Sequence, residues 1–419
     1  MWITRPVFSR ETARMTSNPE RPAHDRPVRS RVRASVGTPA EVPGAGVTFP
    51  REPRHADGSA RLRARCQNAC QPSLLALALF LAAAMELPGV PPALGPRVAQ
   101  AEAEAAGASD GGKPALGVPA AGASSAGAPS VAAASEVPFF KGMGKHRRKV
   151  TTASEKAQRY FDQGLVFVYA FNHDEAIRSF SQVAAVDPRC AMAWWGVAYA
   201  NGPHINNPAM DAARSQAAWD ALGRARELTS GLTAVERDLI EALAARYADP
   251  PPEDRAGLDR AYAAAMKNVW ASHPEDPDVG ALYAEAMMDL RPWDLWTPDG
   301  RPQPETPEIL SVLETTLALE EDHPLANHLY IHALEASLNP EVAVEAADRL
   351  RNLVPGSGHL VHMPAHIYAR VGRWKDAAEA NQRAIKADRE YRRRSPAQGF
   401  YNIYMAHNHH FLSCAAMMQ

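Results

Sequence analysis

The residues best suited to chemistry are the histidines towards the end of the printed sequence. Eight of the 15 histidines lie between residues 328 and 410. Three of them, His359, His362 and His366, fall within the segment GHLVHMPAHIYARVGRW (358–374). Because each residue of an α-helix advances by about 100°, these spacings bring the three rings within roughly 60° of one helical face. We therefore predict a helix with a row of imidazoles on one side, kinked at Pro364.

Two neighbouring segments repeat this spacing. NHLYIHALE places two histidines four positions apart, and AHNHHFLSC places two histidines three apart, with Cys414 one turn further on. Neutral imidazole is a common ligand of Zn, Cu and Fe, and two imidazoles on adjacent helical turns can share one ion. The pattern predicts a transition-metal site with seven candidate ligands: His328, His332, His359, His362, His366, His407 and His410.

Carboxylates near these histidines are few. Glu335 follows His332 by three residues and is a candidate ligand, general base or orienting partner. Asp294 is the second candidate for handling protons. There is no H-E-x-x-H motif, which disfavours a zincin protease, and no carboxylate set of the kind that Ca²⁺ or Mg²⁺ prefers. The competing interpretation is that the histidines fill a partly buried groove and hydrogen-bond to one another.

Two other segments carry aromatic and polar residues at predicted turns. WWGVAYANGPHINNP offers four candidate ligand contacts: Trp195, Tyr199, His204 and Asn206. RPWDLWTPDG belongs to an insertion that could act as a lid carrying Trp293 and Trp296, since long insertions in compact folds are often functional. Core packing and a tryptophan-anchored surface loop are the respective alternatives.

The elements that must position these residues are helices. From Ser154 onward, apolar residues recur at intervals of three and four, and Gly, Pro or Asp-Pro interrupts every dozen or so. AQRYFDQGLVFVYAFNHDEAIRSFSQVAAVDP (157–188) resembles a tetratricopeptide repeat, with Gly164 and Ala176 where the paired helices need small residues. The segments 325–355 and 358–388 fit the same template. We predict an all-α, tetratricopeptide-like helical-hairpin solenoid over 136–419, preceded by a disordered N-terminal region.

The first 135 residues have a different composition. Residues 1–65 are rich in Arg and Pro and contain no Lys, which predicts a disordered segment or sequence upstream of the true start. Residues 66–101 contain an apolar run preceded by arginines and followed by Ala-Gln-Ala, which is typical of a signal peptide, with an uncleaved membrane anchor as the alternative. Residues 102–135 are biased to Ala, Gly, Ser and Pro and are expected to form a flexible linker. We therefore predict export to the periplasm or cell envelope.

Bulk composition excludes several functions. The formal net charge is -2, so there is no global electrostatic basis for binding nucleic acid or a membrane surface. Of the four cysteines, Cys66 and Cys70 precede the apolar run, and the remaining two imply no disulfide framework. The part after residue 135 has no phosphate-binding glycine motif, nucleophile elbow or C-x-x-C pair, so no nucleotide cofactor is expected.

The segments FNHDEAIRSF, AMAWWGVAYANGPHINNP, LANHLYIHALEAS and PGSGHLVHMPAHIYARVGRW together resemble a group of uncharacterised bacterial tetratricopeptide-repeat proteins. The resemblance implies an exported α-solenoid whose members continue past NHHFLSCAAMMQ, so the chain is expected to be truncated at its C-terminus. The wider tetratricopeptide class implies a protein or peptide partner in the concave groove. Histidine in that groove departs from the usual Lys, Arg and Asn.

Three functions follow from these observations. The first is an exported binding or scaffolding module whose histidine-lined groove holds a ligand through a transition metal. The second is a metal-dependent enzyme that uses the same histidines with Zn, Cu or Fe. The third is a protein-interaction adaptor without a metal.

Overall fold

The computed structural model describes residues 136–419. The predicted disordered segment, signal or anchor segment and linker, residues 1–135, lie outside the described residues. Within 136–419 the chain is helical and has no β-strand, only isolated bridges such as the one between His204 and Asn207. The predicted all-α class is therefore confirmed for this part of the chain.

The helices follow one another with short connections. The first seven are α1 (Glu155–Tyr169), α2 (His173–Val186), α3 (Ala191–Asn201), α4 (Ala212–Glu227), α5 (Ala234–Ala244), α6 (Ala256–Ser272) and α7 (Pro277–Met288). The next are α8 (Thr306–Leu319), α9 (Pro324–Glu335), a 3₁₀ turn (Pro340–Ala343) and α10 (Val344–Leu353). The last are α11 (Gly358–His362), α12 (Pro364–Arg370), α13 (Trp374–Arg394) and α14 (Asn402–Met417).

Local signals explain where several helices begin. Thr233 accepts a hydrogen bond from the Glu236 N–H, and the Glu236 carboxylate accepts one from the Thr233 N–H, which is a complete capping box. Asn172 caps α2, and the His323 ring caps α9 by accepting from the Ala326 N–H. These caps satisfy N–H groups that have no partner inside the helix.

Helices adjacent in sequence pack against each other. One close contact surrounds the Phe180 ring, which lies between α1 and α3. A Cβ atom added to Gly164 or Gly196 would come within 2.7 Å or 2.6 Å of that ring, so both positions require glycine. The small residue predicted at position 164 thus has a direct packing reason.

Pro364 divides what the sequence presents as one helix. α11 ends at His362, α12 begins at Pro364, and the Met363 N–H donates to the His359 carbonyl at 3.0 Å. Proline lacks the N–H needed to continue the α-helical pattern. The break separates the turn that carries His362 from the turn that carries His366.

The first helix pair contacts the last helices. The buried Glu175 carboxylate of α2 accepts hydrogen bonds from Tyr391 Oη at 2.8 Å and Ser395 Oγ at 2.7 Å, and it pairs with Arg178. Phe140 packs against both Phe167 and Tyr391. These contacts bring α1 and α2 against α13.

A buried ionic cluster attaches the segment that precedes α1. Asp278 accepts hydrogen bonds from His146 at 2.9 Å, His323 at 3.1 Å and Tyr169, and it pairs with Arg148 at 3.0 Å. Residues 136–150 are thereby held against α7 and α9. The described residues contain no helix that is both long enough and apolar enough to cross a membrane.

Candidate metal centre

Six of the seven predicted ligand histidines form two groups. His328 and His332 of α9 lie with His359 of α11, and His362 and His366 lie with His407 of α14. In each group the three ligand atoms are within 4.8 Å of one another. These largely buried clusters could hold a metal ion. The sequence predicts one transition-metal site. The structure divides the six rings into a first triad (His328, His332, His359) and a second triad (His362, His366, His407).

In the first triad, the protein backbone fixes one ring. His328 Nδ1 donates to the Tyr169 carbonyl oxygen at 2.8 Å, which leaves His328 Nε2 as an acceptor. That atom faces His332 Nε2 at 3.1 Å. The His359 ring centroid is 4.9 Å from that of His328, and neither of its buried nitrogens has a hydrogen-bond partner. Orphaned buried nitrogens are rare and indicate a missing partner.

The second triad repeats this arrangement. His362 Nδ1 donates to Asn381 Oδ1 at 2.7 Å, and Asn381 Nδ2 donates to the Ala377 carbonyl, which fixes the amide orientation. His362 Nε2 therefore faces His366 Nε2 as an acceptor, at 2.9 Å. The His407 ring lies 4.8 Å from the His362 ring between centroids.

The paired Nε2 atoms fit a metal ion. Two nitrogen lone pairs that face each other repel unless a proton or a cation lies between them. Zn–N bonds of about 2.0–2.1 Å in tetrahedral geometry separate neighbouring nitrogens by about 3.3 Å. The observed separations of 3.1 Å and 2.9 Å are close to that value.

Burial keeps most of these imidazoles neutral. Desolvation lowers the pKa values of His328, His359 and His362 well below the usual range, and the neighbouring imidazoles lower them further. The same causes lower the pKa of His332, and that of His407 to about 3. Neutral imidazole is the form that binds a metal, so these five rings are ready to bind at neutral pH.

Glu335 contacts both triads. Its Oε1 atom is 2.9 Å from His332 Nδ1 and its Oε2 atom is 2.6 Å from His366 Nδ1. Although burial raises the pKa of this carboxyl, the electrostatic influence of the adjoining His366 and His332 rings and their contacts with the carboxylate hold it below its usual range. Among the roles predicted from sequence, these contacts correspond to an orienting partner of two ligands.

Two strained aromatic residues flank His332. Phe171 (φ 53°) and Trp293 (φ 62°) are the non-glycine residues with positive φ within 136–419. The buried Phe171 ring stacks 6.1 Å from the His332 ring and lies 4.5 Å from that of His328. Trp293 is 45% exposed and meets His332 edge-on at 5.0 Å. Bulky residues rarely adopt positive φ, and such strain concentrates at functional sites.

The rest of the predicted insertion is anchored to α9. Trp296 Nε1 donates to the Ala333 carbonyl oxygen at 2.7 Å. The Asp294 carboxylate accepts from Gln303 and pairs with Arg291 on the surface, so it is directed away from both triads. The structure thus brings Trp293 to the histidines and leaves Asp294 outside.

The remaining candidates lie in three places. His410 is outside both triads, with its Nε2 atom 3.8 Å from the Cys414 sulfur. Trp195 and Tyr199 stack in the core and hydrogen-bond to the Leu239 carbonyl and Glu285. His204 stacks on Phe171 at 4.7 Å, and Asn206 donates its N–H to His204 Nδ1.

Three features of this region are not predicted from the sequence. They are the positions of Phe171 and Asn381 and the close pairing of His173 with His204, whose ring centroids are 4.4 Å apart. No local motif marks Asn381, because its role depends on how α13 packs against α11. The sequence signal for Phe171 is its position between the C-cap of α1, Ala170, and the N-cap of α2, Asn172, where a turn is required.

A third group, His146, Glu320 and His323, also has metal-ligand spacing. Burial lowers the pKa of His146, but the hydrogen bonds and charges of Asp278 and Glu320 outweigh it and raise this pKa to about 9. His146 is therefore an imidazolium between two carboxylates, and Asp278 is neutralised further by Arg148. A cluster whose charges are already paired has no need of an added cation, so we interpret it as structural.

Comparisons with known proteins add no further information on the site. No protein-family model matches the chain, and no curated protein is similar to it.

Proposed function

We propose that the protein binds two transition-metal ions, one in each histidine triad, and that it acts as a binding or scaffolding module. The observation that carries this proposal is the pairing of Nε2 atoms at 3.1 Å and 2.9 Å between rings whose Nδ1 atoms each face an oxygen acceptor. In each pair of rings, two nitrogen lone pairs point towards the same position. A cation at that position would remove the repulsion between them.

The donor set limits the choice of metal. All six proposed ligands are imidazole nitrogens, which suit Zn, Cu and Fe and are poor ligands for Ca²⁺ or Mg²⁺. Tyr169, through its carbonyl oxygen, and Asn381 fix the tautomers of His328 and His362, and Glu335 fixes those of His332 and His366. Such partners orient ligands and increase their basicity.

The proposed architecture is a tetratricopeptide-like array of helical hairpins. The packing of Phe180 between Gly164 and Gly196 supports it, because small residues at the contacts between consecutive helices are what that repeat requires. The export of the chain is likewise proposed, from the apolar run that precedes the linker.

A metal-dependent enzyme is the second candidate. Three protein ligands per ion leave a coordination position open, as in catalytic zinc sites. A bound ion in such a site supplies Lewis-acid chemistry or an activated water. Trp293, half-exposed beside His332, is the residue through which a small molecule would reach the first triad. Binding of azide or cyanide to the loaded protein would favour the enzyme over the scaffold.

Elemental analysis of the purified full chain after dialysis tests the proposal. We expect two equivalents of metal per chain. His328→Ala/His332→Ala and His362→Ala/His366→Ala should each lose about one equivalent, whereas His409→Ala, an exposed neighbour outside both triads, should keep two. Wild-type protein that retains no metal would leave only the interaction adaptor.

A further inference from the structure

We infer that Glu335 is a positioning residue shared by both triads, so that the two metal ions bind as one coupled unit. This inference rests on the proposed metal function. It concerns how the sites communicate, and it assigns a single residue to that task.

The geometry of Glu335 is specific. It is the last residue of α9, only 3% exposed, and each of its carboxylate oxygens is used by a different triad. Oε1 accepts a hydrogen bond from His332 Nδ1 at 2.9 Å, and Oε2 lies 2.6 Å from His366 Nδ1, within ion-pair distance. His332 lies on the same helix, but His366 comes from α12, beyond the break at Pro364. One carboxylate thus ties together two rings from different helices.

The carboxylate determines which nitrogen of each ring is free. An ionised carboxylate only accepts hydrogen bonds, so both Nδ1 atoms must carry the proton. Both Nε2 atoms are then lone-pair donors, directed at His328 and His362 respectively. If the Glu335 side chain turned away, both rings would lose their orientation together.

Coupling follows from this shared constraint. An ion in the first triad fixes His332, and His332 fixes the carboxylate, which then holds His366 ready for the second ion. The second ion orders fewer side chains and should bind more tightly than it would alone. The negative charge of Glu335 between the two triads also reduces the repulsion between the two cations.

Glu335→Gln separates this role from simple packing. Glutamine has nearly the same shape but presents one acceptor and one donor, so it can serve only one Nδ1–H. The other ring must move its proton to Nε2, which blocks its metal-facing lone pair. We expect one site to remain and the other to weaken by 10–100-fold, the usual effect of losing an orienting partner. Glu335→Ala should weaken both, and the exposed Glu341→Gln is the matched control.

The experiment is a Co²⁺ titration of the full chain followed by visible absorption, with ¹⁵N NMR of the histidines of the metal-free protein. We expect two coupled equivalents for wild type and Glu341→Gln, and a changed tautomer of one ring in Glu335→Gln. Absence of Co²⁺ binding by wild type would overturn the proposed function itself. Two independent equivalents in wild type, or unchanged binding in Glu335→Gln, would overturn the coupling alone.

A second pair of variants keeps the test decisive if Glu335→Gln fails to fold. His366→Ala and His407→Ala each remove one ligand of the second triad, but only His366 touches Glu335. We expect His366→Ala to weaken Co²⁺ binding at the first triad several-fold more than His407→Ala does. Equal effects of the two variants would contradict the shared role of Glu335.

Discussion

At the scale of the residue, the proton on one imidazole nitrogen decides what the other nitrogen can do. Oxygen atoms of Tyr169, Asn381 and Glu335 face the Nδ1 atoms of four of the six rings and thereby leave the four Nε2 atoms directed at one another. None of the three is a proposed metal ligand. The chemistry of the site therefore depends as much on these acceptors as on the histidines.

Asp388 gives a pH-dependent prediction. Burial raises its pKa to about 7, with one oxygen bonded to Asn408 and the other without a partner. Because the pKa of this carboxyl is higher in the folded state than in the unfolded state, the folded protein loses stability as the pH rises from the unfolded-state pKa through about 7. We expect Asp388→Asn to raise the free energy of unfolding more at pH 8 than at pH 5, by on the order of 3 kcal/mol. Denaturant unfolding at both pH values measures this, and equal gains would refute it.

Residue types and spacings predicted six of the histidines that cluster, but not how the clusters are divided. The four-residue spacing places His328 beside His332, and the structure has this pair. Tertiary packing decides that His359 lies beside the two histidines of α9 and that His362 lies beside His407 of α14. His410 illustrates the same limit, because its spacing from His407 matches the pattern while its ring lies beside Cys414.

At the scale of the element, the insertion between α7 and α8 lies against the first triad. Trp296 fixes it to α9, and Trp293 holds a half-exposed ring against His332. The positive φ of Trp293 means that the backbone is strained to keep that ring in place.

Replacing Trp293 tests whether it covers the first triad. Trp293→Gly should speed the removal of Co²⁺ by a chelator about tenfold (ΔΔG‡ of about 1.4 kcal/mol), because the edge of the His332 ring becomes open. Stopped-flow absorption measures the rate, and Trp219→Ala, a partly exposed tryptophan of α4, is the control. Trp293→Ala should be about 1 kcal/mol less stable than Trp293→Gly, since only glycine adopts this φ without cost. Unchanged release in both variants would exclude a covering role.

Helix boundaries were largely predictable because they depend on local chemistry. Pro364 ends one helical segment and Gly164 permits a close contact, and both effects follow from the residue itself. The orientation of the insertion was not predictable, because it depends on a hydrogen bond from Trp296 to a carbonyl of another helix.

At the scale of the whole molecule, buried carboxylates join segments that are distant in sequence. Glu175 joins α2 to Tyr391 and Ser395, and Asp278 joins the segment before α1 to α7 and α9. The all-α class follows from apolar periodicity, but these long-range contacts depend on single buried carboxylates. A local sequence pattern does not identify such carboxylates. For this reason the sequence predicts a concave groove, whereas the structure has largely buried triads.

Removing Glu175 should therefore act at a distance. Glu175→Ala leaves Tyr391, Ser395 and Arg178 without their acceptor and should lower the free energy of unfolding by about 3 kcal/mol. It should also increase amide hydrogen exchange in α14, which packs on α13 and carries His407. Hydrogen exchange with mass spectrometry measures this, and Ser395→Ala should show a smaller effect. Uniform exchange across all helices would contradict a local closure.

The spread of the triads along the chain bears on the order in which they can form during synthesis. His328, His332 and His359 leave the ribosome before His407 does. A nascent chain therefore contains all three residues of the first triad while the second triad still lacks His407. During that interval Glu335 already has His332 as a partner and then gains His366. An ion captured cotranslationally would thus enter the first triad and prepare the place of the next.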